Sequence, residues 1–131
     1  MSNASSKPWG VVDPPRELTV EEKSLLRFVL SVPFPGRDEL LKQLDAAQVC
    51  GKCTCGCPTI NLIVDQNRAT PAKVTTRTPL EADGLDTNGE PVMVILFVDK
   101  GYLSMLEIVA LGEPPVAAFP KIDSLRVRAH K

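Results

Sequence analysis

Four cysteines stand within eight residues, in the segment Val49-Cys50-Gly51-Lys52-Cys53-Thr54-Cys55-Gly56-Cys57-Pro58. Their spacing is C-x2-C-x-C-x-C, and sulfur at that density has three uses. The first is a closed tetrahedral zinc site built from the four thiolates of Cys50, Cys53, Cys55 and Cys57. On a straight strand Cys53, Cys55 and Cys57 would share a face with the outer pair about 13 Å apart. One ion with Zn–S bonds near ~2.3 Å cannot span that. Metal binding therefore demands a turn, and Gly51 and Gly56 offer the freedom for one. The second use is redox chemistry at Cys50-Gly51-Lys52-Cys53, a C-x-x-C pair. Such pairs react when a helix N-terminus lowers the first thiol's pKa. No helix is expected after this one, so only Lys52 would favour a thiolate. The third is packing, because cysteine is a small apolar side chain and among the residues most often buried. Packing is the default, with metal binding the main alternative and redox chemistry the next.

Other groups carry less. Asp65, Asp83, Asp86, Glu90 and Asp99 fall in or beside expected turns, where carboxylates are solvated or cap the backbone. Glu107 interrupts an apolar stretch on the side of Met105 and Val109, where it is either partnered or on a partly open face. His130 is the one histidine and sits beside the chain end, a poor mount for a general base. A Cys2His2 metal site, which needs two histidines, is excluded. Arg126, Arg128 and Lys131 make a short basic end. No phosphate-binding glycine loop and no nucleophile elbow is present.

Glu22-x2-Leu25, Phe34-Pro35-Gly36, Gly51-Lys52-Cys53-x-Cys55-Gly56-Cys57-Pro58-Thr59 and the later Leu96-Phe97-Val98-Asp99 are a recognisable combination. With them the chain resembles a group of small uncharacterised actinobacterial proteins over most of residues 18–112. G-x-C-x-C-G-C-P is the distinctive part. The resemblance implies a compact cytoplasmic domain and no particular reaction. Cys50 lies outside the motif, so the resemblance does not require it as a ligand, and three thiolates plus another ligand stand beside the four-thiolate set.

The elements that would position these residues follow from local pattern. Residues 1–17 read as an irregular arm broken by Pro8, Gly10, Pro14 and Pro15, with Trp9 docking it to the domain. Thr19 and Glu22 have capping-box spacing, and Leu25, Leu26, Val29 and Leu30 then share one helical face. A second helix starts near Gly36 or Arg37, with Asp38 and Glu39 in its first turn and Leu40, Leu41, Leu44 and Ala47 as its apolar face. Val49 to Cys53 reads as a strand entering a turn, and Ile60, Leu62 and Val64 as one apolar strand face. Residues 66–76 form a loop, and a further strand falls within Thr76–Ala82. Val92–Val98 and Tyr102–Leu111 are apolar on both faces and pair as a central antiparallel hairpin across Asp99-Lys100-Gly101. Residues 113–131 are a proline-rich segment and a basic end, which is either a short edge strand or a free tail. The expected fold is α+β: two N-terminal helices packed on one face of a mainly antiparallel sheet of four to five strands, with one domain over 18–112.

Composition sets the outer limits. The chain has 131 residues, room for one domain. With 44% hydrophobic and 24% charged residues it has a globular composition, and a core this size needs no staples. A formal charge of −1 provides no cationic field for a polyanion. No apolar run approaches the ~18 residues of a membrane span, and the first residues show no secretory h-region. Together these point to a non-catalytic, cytoplasmic interaction domain without a cofactor. It would act on a protein partner or a second copy, not on nucleic acid or membrane. Zinc binding at the cysteines is the alternative, and thiol redox chemistry the next.

Overall fold

The computed structural model describes residues 9–113 and 116–130. Nine elements of regular structure matter here. Strand β1 is Trp9–Glu17, helix α1 Val20–Val29, helix α2 Arg37–Gln43, and β2 Ala47–Cys53. Then come β3 Ile60–Val64, β4 Leu80–Leu85, β5 Pro91–Asp99, β6 Tyr102–Ala110 and β7 Arg126–Ala129. The strands form one open antiparallel sheet of seven, in the order β1-β2-β3-β6-β5-β4-β7. The α+β class and the antiparallel sheet agree with the sequence reading; the count of four to five strands does not.

The two extra strands are the edges. Residues 9–17 are not an irregular arm: Trp9 to Val11 pair with Gly51 to Cys53, and Arg16 and Glu17 with Val49 and Gln48. Pro14 and Pro15 lie in the register break between those two pairings, where a strand tolerates residues that donate no hydrogen bond. The docking of the Trp9 indole lies outside the described side chains. At the opposite edge Arg126 to Ala129 pair with Asp83 to Leu80, so the C-terminal segment adds a strand. Lys131 lies outside the described residues.

Helix α1 begins as its capping residues require. The Glu22 N–H donates to the Thr19 hydroxyl at 3.1 Å, and the Thr19 N–H donates to the Glu22 carboxylate at 2.9 Å. Arg16 from β1 completes the arrangement with two bonds of 3.0 Å to the same carboxylate. Leu25, Leu26, Val29 and Leu30 are buried from this region, and Leu40 and Leu44 from the next. All six belong to one apolar cluster with Val49, Ile60, Leu80, Val94, Leu96 and Leu106 of the sheet. At seven residues, α2 is too short to persist alone. Its fully buried Gln43 ties it down: the side-chain carbonyl accepts from Leu103 N–H at 2.9 Å, and the amide donates to Gly101 and Thr70 carbonyls at 2.8 and 2.9 Å.

The central hairpin forms as read. Val92, Val94, Leu96 and Val98 alternate inward, leaving Met93, Ile95 and Phe97 half-buried on the other face. Glu107 pairs with Ile95 on that second face and is half-buried there. The β1–β3 and β4–β7 halves of the sheet meet at β3–β6, where the register covers only Ile60–Leu106 and Asn61–Met105. Thr59 extends that seam with its side chain. Its buried hydroxyl accepts from Ile108 N–H at 2.8 Å and donates to the Ile108 carbonyl at 3.2 Å.

Candidate metal centre

The cysteines occupy the end of β2 and the connection to β3. Cys53 is the last residue of β2, and its neighbour across the sheet is Trp9. The Cys53 N–H donates to the Thr59 carbonyl at 3.4 Å, closing the base of a short loop. The Gly56 N–H donates back to the Cys53 carbonyl at 3.4 Å. Gly56 has φ of +97°, a region that side chains with a Cβ disfavour. The chain reverses there, and the three sulfurs converge instead of lying along a strand.

Cys53, Cys55 and Cys57 form the cluster: their Sγ atoms all lie within 4.8 Å of one another. Cys53 Sγ and Cys55 Sγ are 2.7 Å apart, and the Cys57 N–H donates to Cys55 Sγ at 3.4 Å. An ion bonded at ~2.3 Å to each would hold its sulfurs about 3.8 Å apart. The Cys53–Cys55 contact must open by about 1 Å for this; the outer limit of the cluster already encloses an ion of that size. Cys55 is exposed, and Cys53 and Cys57 are half-buried. None of the four cysteines belongs to the apolar core, so burial as packing does not describe them.

Cys50 stands apart. Val49 faces Leu62 and Gly51 faces Asn61, so Cys50 is the extra residue of a β-bulge. Of the four expected thiolates the structure brings together three, and the Cys50 sulfur is not among them. For the C-x-x-C pair, burial pushes the Cys50 thiol above its ordinary value, which disfavours a reactive thiolate there. Gly51 does not supply the wrapping either. It lies within β2, where an added Cβ would come within 3.0 Å of Asn61 Nδ2. Its role is to make room for that side chain.

The electrostatics separate Cys53 from Cys55. Burial, and then the bond it donates to Cys55, push the Cys53 thiol up to about 12. Cys55 moves below its ordinary value, chiefly because it accepts from Cys53 and then because Cys57 N–H points at it. Of the bonded pair Cys53 and Cys55, it is Cys55 whose thiolate is favoured. Lys52 is the one charged side chain within residues 50–59. It is exposed and lies beside Cys53 in the chain.

The remaining candidates go elsewhere. Asp86 is 2% exposed and works as a backbone clasp: its carboxylate accepts from the N–H groups of Asn88, Glu90 and Ala118 at 2.9, 3.0 and 3.0 Å. These bonds hold it below the ordinary carboxylate range. Arg128 bonds Asp83 and, at 3.2 Å, Glu81 across the β4–β7 edge. His130 is placed rather than loose. Its N–H donates to the Pro79 carbonyl at 2.7 Å, and Nε2 lies 3.3 Å from Glu81 Oε1. It lines a cavity of about 280 Å³ with Phe34, Pro35, Val74 and Pro79. Sequence reasoning missed this because the pairing of β7 is what fixes the chain end. In the sheet order β7 is five strand spacings from β2, on the order of 24 Å, so His130 is remote from the sulfurs.

No family model, no curated protein and no solved structure matches this chain. Among the described residues no helix is long and apolar enough to cross a membrane.

Proposed function

We propose that this chain is a metal-binding protein, with zinc held by the thiolates of Cys53, Cys55 and Cys57. The observation that carries this reading is the convergence of three sulfurs within 4.8 Å on a turn. Thiolates select zinc and other soft ions over magnesium or calcium. The loop that presents them is closed at its base by the Cys53–Thr59 bond and sewn to β6 through Thr59. The test is elemental analysis of protein reconstituted with zinc under reducing conditions. One zinc per chain is expected, with loss when Cys53, Cys55 and Cys57 are all replaced by Ser. A ratio near zero in protein whose thiols titrate as reduced defeats the reading.

A second reading, an interaction domain acting on a protein partner or a second copy, is supported by the sheet face away from the helical residues. Met93, Ile95, Phe97, Met105 and Val109 lie half-buried there, and Ile63 is 51% exposed. Antiparallel sheets that face water carry polar residues on that side, and contiguous apolar surface marks contact sites. Self-association is the form tested most directly. Sedimentation should show a concentration-dependent dimer that Phe97→Asp abolishes. A monomer at all concentrations removes self-association.

A further inference from the structure

A zinc ion on Cys53, Cys55 and Cys57 would still need a fourth ligand, and the described residues do not bring one. Among the described residues no fourth cysteine, histidine, aspartate or glutamate joins the three sulfurs. The residues outside the description, 1–8, 114–115 and 131, read MSNASSKP, PP and K. They contain none of those four residue types. The one histidine lies at the far edge of the sheet, held by Pro79 and Glu81. Cys50 is separated from the cluster by the bulge and by Gly51-Lys52 in the paired part of β2.

Protein zinc sites with four protein ligands are structural, while those with three keep a position for a molecule from outside. The location suits the second kind. Cys55 is exposed, the loop lies at a hairpin tip, and the apolar cluster that supports the fold includes none of its sulfurs. We infer that the fourth position of the metal centre takes a thiolate from a second molecule. This rests on the metal-binding reading above.

A sulfur donor fits, because three thiolates already favour a soft fourth ligand over an oxygen. In the exchange, the incoming thiol gives its proton to solvent as the zinc–sulfur bond forms, and the bound water leaves. No electron changes hands.

The test is X-ray absorption at the zinc edge on the zinc-loaded full chain. It is run with and without saturating glutathione, and with S-methylglutathione as the control lacking a thiol. The shell should change from three sulfurs and one lighter atom to four sulfurs with glutathione only. Cys50→Ser should behave identically. Four sulfurs without added thiol, persisting in Cys50→Ser and accompanied by a dimer in sedimentation, would also support the inference and name a second copy as the source. Four sulfurs in a monomer, reduced to three in Cys50→Ser, would overturn it while leaving the metal reading intact. So would a three-sulfur shell that saturating glutathione does not change. Protein that takes up no zinc overturns both.

Discussion

Cys55 differs from Cys50 in what surrounds its sulfur, and that difference orders their variants. Cys55 is exposed, accepts a thiol and a backbone N–H, and sits at the centre of the cluster. Cys55→Ser is expected to lower zinc affinity by more than roughly 100-fold, the upper range for changes outside the ligand shell. Cys50→Ser should change it little, as competition with a chromophoric chelator will show. Glu22 offers a prediction in pH. Burial would raise its pKa, but the Arg16 fork and the Thr19 N–H more than offset that, so the native carboxylate lies below its ordinary value of 4.5. The stabilisation is present above the unfolded value and is lost as pH falls through the lowered native one. Glu22→Gln should flatten the acid limb of the urea midpoint plotted against pH below about 4.5.

The connection between β2 and β3 depends on two residues beyond its cysteines. Gly56 adopts φ of +97° with no atom near where a Cβ would stand, so a substitution there is opposed by backbone conformation and not by crowding. Gly56→Ala should cost about 1–2 kcal/mol in chemical denaturation and weaken zinc binding, because the turn that gathers the sulfurs is disfavoured. Thr59 closes the seam beneath the loop. Thr59→Val removes both bonds to Ile108 while nearly keeping the shape. It leaves a buried N–H and carbonyl without that partner, so a loss of about 1–3 kcal/mol is expected in urea unfolding. The inner strands and α1 were readable because their patterns are local: the apolar face of Ile60, Leu62 and Val64 in β3, the unbroken apolar run of β5, and capping-box spacing at Thr19 and Glu22. The edges were not. Pro14 and Pro15 speak against a strand until β2 is seen to leave a register gap for them, and Arg126–Ala129 become one through partnership with β4.

The apolar cluster runs from α1 through the centre of the sheet and includes none of the sulfurs. The fold therefore does not lean on the proposed ion, unlike a zinc finger, where the ion supplies the folding energy. Chelation under reducing conditions should leave the far-ultraviolet circular dichroism unchanged. Zinc should still raise the melting temperature, since any ligand that binds only the native state does so. The chain's own residues specify the class of fold, the capped first helix and a cysteine segment unable to seat an ion unless it turns. Those properties follow from interactions over a few neighbours. The number of strands, the clasps made by Gln43 and Thr59, the reach of Asp86 to Ala118, and the anchoring of His130 were settled by long-range pairing. Each depends on a partner dozens of positions away, and no local pattern records which distant backbone group a side chain will meet.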